Sequence, residues 1–110
     1  MIEEWTAGEL AYQMEGARRH SLILVDVREP HEWAAGRVPG SVHIPLGTLA
    51  ARAAEIPPDR TPVFICAVGG RSMMACRYFA GQGRPAINLA GGVAGWSAVH
   101  GALPRPDEEG

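Results

Sequence analysis

The sequence of 110 residues contains no lysine, since arginine supplies all ten of its cationic side chains. This absence excludes a lysine Schiff base, and it also excludes a phosphate-binding loop that relies on a lysine. The net charge of −2 argues against nucleic acid or an anionic membrane as a partner, because both attract a basic surface.

Long apolar runs are also missing. No segment approaches the roughly 20 residues needed to cross a bilayer, and the opening MIEEW carries acids where a secretory signal carries positive charge. The hydrophobic fraction of 46% and the charged fraction of 20% are those of an ordinary globular chain. A chain of this length can bury one hydrophobic core. We therefore expect a single domain in the cytoplasm.

Cysteine is scarce, with only Cys66 and Cys76 present. Their separation matches no zinc pattern with nearby paired ligands, so no metal site is predicted. A reducing compartment also disfavours a structural disulfide. We expect both thiols to be free.

The pattern of apolar residues, glycines and prolines predicts strands that alternate with helices. Strands are predicted at SLILVDV, at 42–44, at TPVFIC and at PAINL. Helices are predicted from a cap at Thr6 to about Glu15, from Pro30 to Ala35, at 47–56 and from about Ser72 to Gly81. In AGGVAGWSAVHGA a glycine-rich turn is predicted to lead into the last helix.

Such alternation favours right-handed crossovers between parallel strands. The sequence thus predicts an α/β fold with a mainly parallel central sheet of about five strands and helices on both faces. Residues 1–101 form the predicted domain, and 102–110 form a polar C-terminal tail that we expect to be flexible. In a sheet of this kind the carboxyl ends of the strands form the ligand crevice.

The segment CAVGGRS places Cys66 at one of these strand ends. Gly69 and Gly70 permit positive backbone dihedrals, which let successive N–H groups turn inward on one point. Arg71 and the start of the next helix add positive charge, so a thiolate at Cys66 is expected to be stabilised. Burial of Cys66 as a small apolar residue is the alternative, but it would require neither the glycines nor the arginine. The candidate site is Cys66 with the loop of Ala67, Val68, Gly69, Gly70, Arg71 and Ser72.

CAVGGRS resembles the active-site loop of rhodanese-like domains, C-x-x-G-x-R-S. LILVDVREPHEW resembles that family's strand with its D-V-R ending, GRVPGSVHIP resembles its G-H-I-P-G-A-x-N-I-P segment, and LAGGVAGW resembles its L-x-G-G-x-x-x-W segment. The resemblance extends from Glu3 to Gly101. It implies a sulfurtransferase in which Cys66 takes sulfur from thiosulfate or another persulfide donor, carries it as a persulfide, and passes it to cyanide, a thiol or a protein. No metal or organic cofactor is implied.

Four positions depart from the common family pattern. Arg37 replaces a histidine, and His43 replaces an asparagine. Ala67 and Val68 are apolar where enzymes dedicated to thiosulfate often carry charge. A site opening with less positive charge attracts a small dianion such as thiosulfate less strongly. A protein persulfide or a small persulfide is therefore as good a candidate donor as thiosulfate.

Three further residues are expected near the crevice. Asp26 is interpreted as a residue that shapes the site, with Ser72 or backbone N–H groups as its partners. Arg28 is interpreted as part of a structural ion pair, with Glu32 as a partner, although it could instead face the substrate. Trp33 is expected either to wall the pocket or to fill the core.

Two other functions remain open. A cysteine phosphatase or arsenate reductase also holds a thiolate in an anion loop, but it has five residues between cysteine and arginine, whereas Cys66 and Arg71 enclose four. A non-catalytic binding module of the same fold commonly lacks the cysteine. Because fold alone does not decide function, the interpretation depends on the loop.

Overall fold

The computed structural model describes residues 2–108, and its centre is a five-stranded sheet. The strands lie in the order β1-β5-β4-β2-β3, and every neighbouring pair is parallel. Their bounds are β1 (Ile2–Trp5), β2 (Leu22–Asp26), β3 (Val42–His43), β4 (Thr61–Ile65) and β5 (Ala86–Leu89). The predicted α/β class and parallel sheet are confirmed. The edge strand β1 is the one element of the sheet that the sequence pattern does not predict.

In the described part of the chain, five α-helices connect or follow the strands: α1 (Ala7–Glu15), α2 (Pro30–Ala35), α3 (Leu49–Arg52), α4 (Gly70–Gly81) and α5 (Gly92–His100). The predicted capping box opens α1, because Glu9 N donates to Thr6 Oγ1 at 3.1 Å and Thr6 N donates to Glu9 Oε1 at 2.9 Å. Within residues 2–108, no helix has the length and apolar character needed to span a membrane.

The segment 47–56 is not the continuous helix that its composition predicts. A 3₁₀ turn at Leu46–Thr48, the single turn of α3 and a second 3₁₀ turn at Ala53–Glu55 follow one another. Leu49 and Ile56 at the two ends are buried in the same core cluster. Anchoring of both ends in tertiary contacts outweighs the helix propensity of the alanines between them.

The sheet separates two core clusters, one on each face. Along β4, Val63 and Ile65 point to one face and Phe64 points to the other, where it meets Phe79 of α4 edge to face at 5.1 Å. Cys66 continues this alternation on the Phe64 face. The predicted covering of both faces is confirmed: α3 and α4 pack on the Phe64 face, and α1 and α5 pack on the other.

The first residues of the C-terminal segment contact the domain. Leu103 packs against the core cluster of Val63 and Ile65, and the carbonyl of Pro104 accepts a hydrogen bond from Arg37 N at 3.0 Å. Contacts with the domain therefore continue past Gly101, the predicted boundary. Flexibility of the segment that follows stays a prediction, and its last two residues lie outside the described range.

Candidate active site

Cys66 lies directly after β4, at the carboxyl edge of the sheet, and α4 begins only four residues later. The helix starts two residues earlier than predicted because Gly69 takes its N-cap position with φ of 108°, a conformation that favours glycine. This turn directs Gly69 N back to Cys66 Sγ, which it approaches to 3.0 Å. The sulfur thus lies inside a short loop at the start of a helix.

The Cys66 residue is 1% exposed, and its sulfur accepts a hydrogen bond from the Gly69 N–H group. Burial raises the pKa of the Cys66 thiol, but hydrogen bonding with the Ser72 hydroxyl and with the N–H groups of Ser72, Gly69 and Val68 lowers that pKa by more. The net effect places the pKa below the ordinary value for a thiol. The loop therefore favours the thiolate, which is the nucleophilic form.

The carbonyls of the loop are held from behind by the start of α5. Val93 N donates to the carbonyl of Cys66 at 2.9 Å, and Ala94 N donates to that of Ala67 at 3.1 Å. Gly92, at φ of 57°, passes so close that a Cβ there would lie 2.4 Å from the Cys66 carbonyl oxygen. With their carbonyls fixed on this side, the peptides of the loop leave their N–H groups available to the sulfur.

A polar chain continues from the sulfur into β5 and β1. Cys66 Sγ lies 3.2 Å from Ser72 Oγ, and Ser72 Oγ donates a short hydrogen bond to Asn88 Oδ1. Asn88 Nδ2 in turn donates to Glu4 Oε2 at 3.0 Å and to the carbonyl of Gly69 at 3.3 Å. Asn88 and Glu4 are site residues that the sequence pattern did not predict. The available signal was one amide residue inside the otherwise apolar strand AINL.

Arg71 forms a bidentate ion pair with Glu32 of α2, with Nη1–Oε1 at 2.7 Å and Nη2–Oε2 at 2.9 Å. This hydrogen bonding lowers the pKa of Glu32 to about 2 and raises the pKa of Arg71. Glu32 is therefore the wrong partner for Arg28, although Arg28 does belong to a structural ion pair, with Asp26 at 2.8 Å. The positive charge expected from Arg71 is also balanced by a carboxylate at the rim of the loop.

Arg28 is buried against Asp26 instead. Asp26 Oδ1 accepts from Arg28 N at 2.9 Å and from Arg28 Nε at 3.0 Å, and Arg28 Nη2 reaches the carbonyl of Gly36 at 2.7 Å. Ser72 bonds to Asn88, so Ser72 is wrong as the partner expected for Asp26. The backbone N–H group that donates to Asp26 belongs to Arg28 and not to the Cys66 loop. The Asp26–Arg28 pair braces the connection between β2 and α2, where a buried charge requires a partner.

Trp33 contacts two of the residues that depart from the common family pattern. Its ring stacks on His43 at 4.8 Å with an angle of 9°, and the Arg37 guanidinium lies 4.3 Å from its centroid. His43 Nε2 donates to the carbonyl of Arg28 at 2.8 Å, which fixes the imidazole in the stack. Among residues 2–108, neither core cluster includes Trp33, so it is not the core-filling residue that one alternative predicts.

The fold and the loop together define a rhodanese-like domain. The chain belongs to the rhodanese-like domain family, whose model matches residues 6–99. The resemblance carried by the four sequence segments is thereby confirmed.

Relatives and solved structures agree with this assignment. The chain is 38% identical over 111 residues to a sulfurtransferase from Allochromatium vinosum, with 100% of each chain covered. It is 30% identical over 89 residues to the thiosulfate sulfurtransferase GlpE from Pseudomonas syringae, covering 80% of this chain and 84% of that one. The crystal structure of a rhodanese-like domain protein from Staphylococcus aureus matches with a TM-score of 0.81 at 26% identity, covering 94% and 98% of the two chains. Sulfurtransferase is thus the activity named among its relatives.

Proposed function

We propose that the protein transfers a sulfane sulfur through a persulfide on Cys66. The observation that carries this proposal is the position of Cys66 Sγ, which has the Gly69 N–H at 3.0 Å and the Ser72 hydroxyl at 3.2 Å. The N–H group donates to the sulfur, and the hydroxyl is placed to turn and donate to an anionic sulfur, first as the thiolate and then as the terminal atom of a persulfide. Neither half of the reaction needs a metal or an organic cofactor.

With thiosulfate as donor, the Cys66 thiolate attacks the outer sulfur and forms a new S–S bond. The S–S bond of thiosulfate breaks, and its electron pair leaves with sulfite. A nucleophilic acceptor such as cyanide then attacks the terminal sulfur of the persulfide. The bond between that sulfur and Cys66 breaks, its electron pair returns to Cys66 as the thiolate, and thiocyanate leaves.

Val68 and Arg71, at the open side of the Cys66 loop, suit persulfide donors and protein acceptors as well as thiosulfate. Val68 at the tip is 71% exposed, and the charge of Arg71 is balanced by Glu32. An apolar, nearly neutral rim attracts a small dianion less than a cationic rim does. Both cysteines are free, as suits a reducing compartment, and we assign the reaction to the cytoplasm.

The proposal is tested by assaying the purified protein with thiosulfate and cyanide, and separately with a small persulfide and a thiol acceptor. Cys66→Ser is expected to abolish transfer. Cys76→Ser is the matched control, and it should retain most activity because Cys76 is buried with a pKa raised to about 12. Reversal of the two losses would contradict the site. Turnover of an aryl phosphate at a comparable rate would favour a phosphatase instead.

A further inference from the structure

The orientation of the Asn88 side chain follows from its neighbours. Asn88 is 2% exposed, and its Nδ2 faces two acceptors, the Glu4 carboxylate and the Gly69 carbonyl. Turning the amide over would set Oδ1 against both of these oxygens and leave Ser72 beside an N–H group. The amide oxygen therefore faces Ser72, and because it carries no proton, Ser72 must donate to it.

This assignment determines the hydrogen bonding of the Cys66 thiol. A serine hydroxyl has one proton, and in this arrangement Asn88 Oδ1 takes it. The 3.2 Å contact between Cys66 Sγ and Ser72 Oγ is then made by the S–H donating to the hydroxyl oxygen. This hydrogen-bonding arrangement is the one expected for the thiol form of Cys66, in which Ser72 is turned towards Asn88.

Loss of the thiol proton changes which acceptor Ser72 favours. An anionic sulfur beside the lone pairs of Ser72 Oγ is repelled, whereas rotation of the hydroxyl brings a charge-assisted hydrogen bond to the sulfur. The same rotation removes the donor from Asn88 Oδ1, and a buried acceptor without a donor has a cost of its own. Two acceptors therefore compete for one proton.

We propose that Asn88 is a positioning residue that competes with the Cys66 sulfur for the single Ser72 proton, and so sets how strongly Ser72 stabilises an anionic sulfur. Its role in turnover rests on the proposed sulfur transfer, because the thiolate and the persulfide are the anions concerned. Among the hydrogen bonds that lower the pKa of Cys66, the one with the Ser72 hydroxyl contributes most. The acceptor to which Ser72 donates therefore affects the pKa of the Cys66 thiol.

Charged groups around the loop are mostly ion-paired, and they do not replace the effect of the Ser72 hydroxyl on the Cys66 thiol. Arg71 on α4 pairs with Glu32 on α2, and Arg28 pairs with Asp26 at the end of β2. Glu4 on β1 accepts from Asn88 and lies on the far side of that amide from Ser72. The hydroxyl and the backbone N–H groups are the polar groups in direct hydrogen-bonding contact with the sulfur.

The test is a double-mutant cycle on thiol acidity. Asn88→Leu removes the competing acceptor at similar volume, so Ser72 should donate to the sulfur permanently and the pKa of Cys66 should fall by about half a pH unit. Ser72→Ala should raise the pKa by about one unit, because the thiolate loses a donor. In the Ser72→Ala background, Asn88→Leu should have no further effect on the pKa.

The measurement is the pH dependence of alkylation by iodoacetamide, mapped to the Cys66 peptide by mass spectrometry, with thermal unfolding of each variant to verify folding. Asn88→Ala is the second variant if Asn88→Leu does not fold. An unchanged or raised pKa in Asn88→Leu, or the same shift with and without Ser72, would overturn the proposal. Because alkylation needs no sulfur donor, absence of sulfur transfer is a separate result that contradicts the proposed function instead.

Discussion

Arg71 and Glu32 are 39 residues apart in the sequence, yet they form a bidentate ion pair at the rim of the Cys66 loop. Glu32 Oε1 also accepts from Glu29 N at 2.9 Å, and this hydrogen bond holds the carboxylate at the start of α2, where it pairs with the Arg71 guanidinium. The pair joins the CAVGGRS loop to the DVREPHEW segment, and it sets both the orientation and the net charge of the rim.

Replacement of Arg71 by lysine is expected to lower kcat/KM for sulfur transfer by about tenfold, although the charge is kept. Lysine is a point charge and cannot reproduce the two parallel hydrogen bonds that a guanidinium makes with a carboxylate. Folding should survive, because the pair is partly exposed. Steady-state kinetics with circular dichroism as a folding control checks this. An unchanged rate would mean that the geometry of Arg71 does not matter to the loop.

Replacement of Glu32 by glutamine is expected to reduce the free energy of unfolding by about 1 kcal/mol at pH 7, a value discounted for solvent exposure of the pair. The pKa of Glu32 is lowered from 4.5 to about 2 in the folded state. The stabilisation is therefore fully present above pH 4.5 and is lost as the pH falls towards 2. Urea unfolding between pH 7 and pH 3 measures the difference between the two proteins.

Glu55→Gln is the matched control for this comparison. It removes a carboxylate from the Arg52–Glu55 pair, which is also bidentate but more exposed. Its effect on stability should be smaller than that of Glu32→Gln. A difference between wild type and Glu32→Gln that stays constant down to pH 3 would contradict the role given to the ion pair.

Replacement of Gly92 by alanine is expected to destabilise the protein by about 2–4 kcal/mol and to reduce sulfur transfer. The added Cβ would lie 2.4 Å from the Cys66 carbonyl oxygen and 2.5 Å from that of Ala67, at a backbone φ of 57°. Gly95→Ala in the same helix is the control, since its Cβ would meet only the Ala90 carbonyl oxygen at an ordinary 3.7 Å. Thermal unfolding and activity of the two variants check this, and equal effects would contradict the close approach.

The sequence predicts the elements whose signals are local. The capping box at Thr6 and the proline at the start of α2 each determine their own turn of backbone, and both are found where the pattern indicates. Gly69 has the expected positive φ, but the same expectation for Gly70 is wrong, because Gly70 is already the first residue of α4. Strand β1 escapes prediction because Glu3 and Glu4 at the edge of the sheet interrupt its apolar pattern.

Most of the site contacts that the sequence did not predict, or predicted wrongly, join residues that are distant in the sequence. Asn88 meets Ser72 only because β5 lies beside β4, and Glu4 meets Asn88 only because β1 lies beside β5. Spacing along the chain could not show that Glu32 would bind Arg71 and leave Arg28 to Asp26. These pairings depend on strand order, which local pattern does not determine.

Covalent transfer requires that Cys66 carries sulfur between two half-reactions. Intact mass spectrometry of the protein, incubated with thiosulfate or a small persulfide and no acceptor, measures this intermediate. We expect a gain of one sulfur atom, mapped to the peptide containing Cys66, absent in Cys66→Ser, and removed by cyanide or excess thiol. Cys76 should remain unmodified, because burial within α4 raises its pKa to about 12 and no loop of N–H groups stabilises its thiolate, whereas the pKa of Cys66 is lowered. Persistent absence of the adduct with both donors would contradict the account and favour a non-catalytic binding module.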